Sequence, residues 1–125
     1  MRTRARAWAI RALVVAVITA AGTVGVATPA YAAPMIVNFT LSTNTIDPGQ
    51  QVTARWTVRT NDADGEVVDV SISSNNPQVQ CTGGDCNVIG AQVTQTGRDF
   101  EAVFTASGAF ASQQTVQIRV TAGGV

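Results

Sequence analysis

From residue 35 onward, apolar and polar residues alternate with a period of two, and this pattern constrains the fold more than any other feature. A period of two places every second side chain on one face of an extended strand, whereas a helix repeats about every 3.6 residues. Each strand then has one apolar face, which must be buried against a second layer of structure. The clearest example alternates Val52, Ala54, Trp56 and Val58 with Thr53, Arg55, Thr57 and Arg59.

Turn residues divide this region into about seven short strands. Pro48-Gly49, the run 61–65, Asn75-Asn76-Pro77 and Gly83-Gly84 have the composition of tight turns. Strands at this spacing predict an all-β fold, an antiparallel β-sandwich. We expect Phe39, Trp56, Phe100 and Phe104 to dominate its core. Besides those of the example above, the inward positions are predicted to be Met35, Val37, Phe39, Leu41, Val68, Val70, Ile72, Phe100, Ala102, Phe104, Val116, Ile118 and Val120.

The first 32 residues follow a different pattern. Four arginines between residues 2 and 11 precede an apolar run that begins at Ala12, and the small residues Ala30-Tyr31-Ala32 close the segment. A basic, then apolar, then A-x-A order is what the export machinery and signal peptidase recognise. The sequence therefore predicts a secretory signal peptide over residues 1–32, cleaved before Ala33, and one mature domain over residues 33–125.

A membrane anchor is the alternative for this segment. A transmembrane helix needs about 20 apolar residues, and the run from Ala12 to Ala27 is shorter and contains two glycines and two threonines. We therefore expect a secreted, extracellular protein with no stable membrane anchor after cleavage.

The predicted mature domain is acidic and lacks two residue types that catalysis often uses. It has four arginines, no lysine, no histidine and eight carboxylates, a net charge of −4. Nucleic-acid binding depends on neutralising phosphates, so no nucleic-acid partner is expected. Without histidine or lysine the usual general base and Schiff-base amine are missing, and we expect no enzyme activity and no cofactor. The lysine-free, Ala- and Val-rich composition is typical of a GC-rich bacterium.

Cys81 and Cys86 are predicted to form a structural disulfide. If Gly83-Gly84 makes a two-residue hairpin turn, the cysteines oppose each other with Cα atoms about 4.5 Å apart, which a disulfide tolerates. The environment that an exported protein enters is oxidising, so the two thiols are expected to form a disulfide there. A zinc site needs four ligands, so no metal is predicted at this pair.

The run 61–66 contains the carboxylates Asp62, Asp64 and Glu66. Calcium prefers such oxygen-rich clusters, but Asn, Asp and Gly are equally the residues of a solvated β-turn. The sequence favours the turn and leaves calcium binding open.

The opening of the domain resembles bacterial immunoglobulin-like domains over residues 35–73. The residues that carry the resemblance are Ile46-Asp47-Pro48-Gly49-Gln50-Gln51-Val52 and Trp56-Thr57-Val58. The chain departs from antibody-type domains because its second strand has no cysteine and holds the tryptophan. The resemblance implies that the sandwich is immunoglobulin-like, and it transfers no binding residue. We expect a secreted immunoglobulin-like binding or structural module whose partner is an extracellular protein or a cell-surface component.

A second resemblance implies an alternative function. Cys81 to Cys86, followed by Asn87-Val88-Ile89-Gly90, is similar to the second disulfide hairpin of the neocarzinostatin-type chromoprotein carriers. It implies a small-molecule carrier with an apolar cleft. Those carriers have a second cysteine pair, which this chain lacks.

Partner contacts are expected on loops at one end of the sandwich, such as 61–65, 74–78 or 107–114. Phe110 has no alternation partner and lies among small residues. It is either an exposed anchor for a partner or, as the more favoured interpretation, a core side chain beneath its loop.

Overall fold

The computed structural model describes residues 12–20, 34–110 and 112–124. Within these ranges the chain forms strands and no helix, so no helix there is long and apolar enough to span a membrane. The predicted cleavage position before Ala33 and the arginines of the first segment lie outside the described residues. The strands are β1 (Ala12–Ala20), β2 (Met35–Leu41), β3 (Thr45–Ile46), β4 (Gln51–Arg59), β5 (Glu66–Ser74), β6 (Val79–Gly84), β7 (Asn87–Val93), β8 (Arg98–Ala106) and β9 (Gln114–Gly124).

The strands form two sheets around one hydrophobic core. The five-stranded sheet has the order β3-β1-β9-β5-β7, and the four-stranded sheet has the order β2-β4-β8-β6. Neighbouring strands are antiparallel except β1 and β9, which are parallel. Buried residues from both sheets form a single cluster. The prediction of an all-β, two-sheet architecture is confirmed, and the arrangement is consistent with a β-sandwich.

The inward faces predicted for four strands are confirmed. Trp56 and Phe104 are the largest fully buried side chains, and Phe100 is buried beside them. Phe39 packs against this core but is only partly buried. Alternation therefore identified the core because each of these strands has water on one side only. The other confirmed inward residues are Val52, Ala54, Val58, Val68, Val70, Ile72, Ala102, Val116, Ile118 and Val120.

The predicted register of the first strand was wrong over its first half. Ile36 packs against the core rather than Met35 and Val37, whereas the second half follows the prediction. A β-bulge lies between Val37 and Thr40 in the pairing of β2 with β4. Within it Asn38 has a φ of 56°, in the left-handed region that asparagine tolerates better than most residues. The extra residue of the bulge shifts the inward face by one position.

The disulfide between Cys81 and Cys86 is present, but the hairpin predicted around it was wrong. β6 pairs with β8 in the four-stranded sheet, and β7 pairs with β5 in the five-stranded sheet. The segment is therefore a crossing between the sheets, and the two Cα atoms are 5.9 Å apart. Gly84 has a positive φ, of 79°, but Gly83 is not among the positive-φ glycines, so the pair does not form the predicted primed turn. The disulfide closes the corner where the chain changes sheets.

Replacing both cysteines by alanine should lower the free energy of unfolding by about 2 kcal/mol, because the bond closes a short loop and restricts the unfolded chain modestly. Urea unfolding of the oxidised wild type and the Cys81→Ala/Cys86→Ala variant measures the difference. A loss above about 4 kcal/mol would show that the corner depends on the bond for its native geometry.

The apolar run predicted to be the core of the export signal forms β1. All nine of its residues pair with β9, and its first two residues also pair with β3. Ala12 and Val14 belong to the hydrophobic core, while Leu13 and Val15 are exposed on the outer face. The full chain thus uses this segment as a strand of the five-stranded sheet. Its removal by signal peptidase remains a prediction.

Candidate functional site

A concavity of about 440 Å³ lies on the outer face of the four-stranded sheet. We call it the carboxylate groove, because carboxylates line it more than any other charged group. Its walls come from β2, β4, β8 and the turn that follows β6. The lining residues are Asn38, Arg55, Trp56, Thr57, Asp85, Asp99, Phe100 and Glu101.

Two cross-strand pairs form the centre of the groove. In the register of β4 and β8, Arg55 lies opposite Glu101 and Thr57 lies opposite Asp99. Arg55 Nη2 is 2.7 Å from Glu101 Oε2, and Thr57 Oγ1 donates a hydrogen bond of 2.7 Å to Asp99 Oδ1. The ion pair is well exposed, with side-chain exposures of 65% and 51%. This exposure makes both groups accessible to a ligand. An exposed pair of this kind also contributes little to stability.

Backbone hydrogen bonds fix Asp85 at one end of the groove. Its N–H donates to the Glu101 carbonyl oxygen at 2.7 Å, and its Oδ2 accepts from the Glu101 N–H at 3.0 Å. Asp85 directly follows Gly84 and precedes Cys86, within the disulfide-closed corner. The corner therefore holds one carboxylate of the groove at a defined place on β8.

Aromatic rings lie directly beneath the groove. Trp56 and Phe100 stack with centroids 5.7 Å apart, and Phe39 meets Trp56 edge-on at 6.3 Å. The Arg98 guanidinium lies 5.3 Å from the Phe100 ring centroid, within the range of a cation–π contact. The Trp56 Nε1 atom is buried and has no hydrogen-bond partner among the described residues. The sheet therefore carries polar side chains on the face of the groove and a packed aromatic cluster on its buried face.

The predicted contact loops do not all lie at one end. Loops 74–78 and 107–114 pack together: Gln78 Nε2 donates to the carbonyl oxygens of Ser107 and Ala109, at 3.1 and 2.9 Å. Loop 61–65 precedes β5, whereas 74–78 follows it, so the two lie at opposite ends of a nine-residue strand. A single site formed by all three loops is excluded in this arrangement.

The structure places Phe110 in the hydrophobic core, with 3% of its surface exposed. This is the more favoured of its two predicted placements, and it removes the side chain from the surface on which a partner anchor would lie.

Phe110→Ala should lower the free energy of unfolding by about 3 kcal/mol, because the change leaves a cavity beneath the 107–114 loop. Thermal unfolding followed by circular dichroism measures the effect. Unchanged stability together with weaker partner binding would instead assign Phe110 to an interface.

The carboxylates of run 61–66 make local turn contacts. Asp62 accepts a hydrogen bond from the Asp64 N–H at 2.9 Å, and Glu66 accepts one from the Thr60 hydroxyl at 2.9 Å. Within the described ranges, no group of three or more His, Cys, Asp or Glu side chains is arranged to hold a metal ion. These contacts are those of the solvated turn, and calcium binding by the run stays untested.

Sequence reasoning missed the carboxylate groove, although the alternation placed Arg55 and Thr57 on an outward face. Asp85, Asp99 and Glu101 were assigned to no site, yet they line one concavity. Each of them already has a partner: a backbone amide, a hydroxyl and a guanidinium respectively. The register of β4 against β8 brings them together, and nothing in either strand alone encodes that register.

Comparison of the chain with family models, curated proteins and solved structures found no match. The candidate function therefore rests on the geometry and chemistry of the molecule itself.

Proposed function

We propose that the protein is a secreted, immunoglobulin-like binding module of bacterial origin, which recognises an extracellular protein or cell-surface component through the carboxylate groove. The observation that carries the proposal is the grouping of exposed, oppositely charged and hydrogen-bonding side chains in one concavity. Binding sites are typically concave, with a few polar groups that fix orientation.

Strand order supports the immunoglobulin-like interpretation. In chain order β2, β4, β6 and β8 occupy the positions of strands A, B, D and E, and the sheet order β2-β4-β8-β6 corresponds to A-B-E-D. β9 and β5 lie side by side like strands F and C. The chain departs from the standard order because β7 lies beside β5 yet follows β6 in the chain. It also departs because the position of strand G, beside β9, is held by β1.

The chemistry of the groove favours a partner that presents hydrogen-bond donors. Three carboxylates face one guanidinium, so the concavity has an excess of acceptor oxygens and a local negative charge. A partner with amide, hydroxyl or ammonium groups would satisfy these acceptors. Charge-assisted hydrogen bonds of this kind are stronger than those between neutral groups.

The test is a comparison of two arginine variants on the same strand. Arg55→Ala removes the cation of the groove, whereas Arg59→Ala removes an exposed arginine of β4 that does not line it. We expect both variants to unfold within about 1 kcal/mol of the wild type, since the affected contacts are exposed. Because Arg55→Ala frees the Glu101 carboxylate to accept from the partner, we expect this variant alone to gain roughly tenfold in affinity, the scale of one charge-assisted hydrogen bond.

The experiment immobilises the secreted wild type and both variants and exposes them to culture-medium and cell-wall fractions. A component retained equally by the wild type and Arg59→Ala, and roughly tenfold more tightly by Arg55→Ala, supports the proposal. Equal retention by all three proteins would show that the groove is not the binding site.

The carrier alternative requires an apolar cavity of a few hundred Å³. Three concavities of the described residues are lined mainly by polar side chains: the carboxylate groove, one along residues 42–51 and a small one beside Arg119. The aromatic side chains of the four-stranded sheet pack against one another at the core. These observations favour the binding module over the carrier.

A further inference from the structure

We propose that the edge of β9 is an acceptor site for a β-strand of another secreted protein, and that β1 fills it only until the signal peptide is removed. This inference rests on the proposed export and cleavage, but not on the carboxylate groove, which lies on the other sheet. If cleavage precedes Ala33, the mature protein lacks all of Ala12–Ala20 and β9 loses the neighbour with which nine of its residues pair.

Every second residue of β9 directs its backbone hydrogen-bonding groups towards the side that β1 occupies. Gln117 exchanges hydrogen bonds with Asn75, at the end of β5, so its N–H and C=O point towards β5. The Ile72 N–H donates to the Cys86 carbonyl oxygen, on the side away from β9. Because Val120 lies opposite Ile72, the N–H and C=O of Val120 point away from β5. The backbone N–H and C=O groups of successive β9 residues point alternately towards β5 and towards β1. The groups that β1 satisfies are therefore those of Val116, Ile118, Val120 and Ala122.

The side chains next to this edge form an apolar slot. Val14 lies opposite Val116 and is 3% exposed, and Ala12 lies opposite Ile46 of β3 and is fully buried. β1 also contacts β2 in the facing sheet. Removing β1 would expose this slot to water, and covering it again would recover hydrophobic free energy.

β9 is neither short nor interrupted by a bulge or a proline, and Arg119 is its one charged residue. Natural edge strands are commonly short, or are interrupted by bulges that prevent pairing with other chains. Within the described residues β3 has two residues, and β2, β6 and the β5–β7 pair contain register shifts. β9 has eleven residues, no proline and no register shift against β5. It is built as an interior strand.

The occupant that fits is an uncharged, extended segment of a partner protein. β1 shows what the slot accepts: an apolar strand, parallel to β9, with small or β-branched residues at two alternate inward positions. Adding such a strand is a recognised way for sheets to bind peptides. A second copy fits less well, because full antiparallel overlap of two β9 strands places Arg119 opposite Arg119, and like charges in that position repel.

The probe is a synthetic peptide of residues 11–21, added to protein purified from the medium after its N-terminus has been shown to be Ala33. Amide hydrogen exchange by NMR reports each residue of β9. We expect the Val116, Ile118, Val120 and Ala122 amides to exchange rapidly in the free protein and at least roughly 100-fold more slowly with saturating peptide. The Gln117, Arg119 and Thr121 amides, which face β5, should stay protected in both states.

Two peptide variants give a matched control. Val14→Asp places a carboxylate in the buried slot and should weaken binding by roughly 100-fold or more. Val15→Asp places the same charge on the exposed face and should change affinity by less than about fivefold.

Four results would overturn the inference. The first is protection of the edge amides in a monomer, which would mean that β3 closes onto β9. The second is their protection in a dimer, which would mean that a second copy fills the slot. The third is rapid exchange of these amides that the peptide does not slow. A secreted protein that retains Ala12–Ala20 would refute both this inference and the proposed cleavage, whereas the first three results leave the proposed export and the carboxylate groove standing.

Discussion

Trp56→Ala should lower the free energy of unfolding by about 3–5 kcal/mol, the range for truncating a large buried aromatic side chain. Trp56 is 1% exposed, stacks on Phe100 and meets Phe39 edge-on. Its loss leaves a cavity between the sheets that backbone pairing on both sides prevents from collapsing. Because small domains have a total stability of about 5–15 kcal/mol, much of the variant would be unfolded at elevated temperature. Urea unfolding followed by circular dichroism measures the effect.

Trp56→Phe is the matched control for this prediction. It keeps an aromatic ring in the core but removes the indole N–H, which is buried without a partner in the described structure. Removing an unsatisfied donor recovers part of its desolvation cost of about 1–3 kcal/mol. We expect Trp56→Phe to cost less than about 1.5 kcal/mol. Equal losses for the two variants would show that the N–H makes a necessary hydrogen bond.

Gly84→Ala should destabilise the protein by about 3 kcal/mol or more, because two penalties act at one position. Gly84 has a φ of 79°, and a Cβ there would collide with the Glu101 carbonyl oxygen and lie 3.1 Å from the Ala102 Cα. Both obstacles are backbone of β8 and have little freedom to move. Chemical unfolding measures the loss. The change would also displace Asp85 and so alter the carboxylate groove.

Gly90→Ala separates the two penalties. Gly90 has a similar φ of 73°, but a Cβ there meets nothing within 4 Å. This variant should lose only about 1–2 kcal/mol, the cost of holding alanine in the left-handed region. If Gly84→Ala and Gly90→Ala lost equal stability, the close approach of the corner to β8 would have no energetic role.

The sequence predicted those parts of the fold in which the alternation within one strand determines which of its faces is buried. β4 alternates Val52, Ala54, Trp56 and Val58 with polar residues, and those four side chains are buried. β2 has the same kind of alternation, but the bulge at Asn38 reverses its face halfway. The bulge is a feature of the pairing of β2 with β4, so the sequence of β2 alone does not predict it.

Three further features depended on partners distant in the chain. The run Cys81 to Cys86 contains the residues of a hairpin, but its arms join different sheets. The apolar run from Ala12 lacks alternation, and such a run suits an export signal as well as a buried strand. The carboxylate groove also follows from register, because Arg55 meets Glu101 only when β4 and β8 are aligned as they are.

We propose that the chain is exported and loses β1, which leaves a two-sheet domain with an open edge at β9. The test is expression of the full-length chain in a secreting bacterium, followed by intact mass and N-terminal sequencing of the protein in the medium. We predict a product of residues 33–125 that begins at Ala33 and contains the Cys81–Cys86 disulfide. A folded product that begins before Ala12, or a protein that stays in the cytoplasm, would contradict the account and make β1 a permanent strand of the domain.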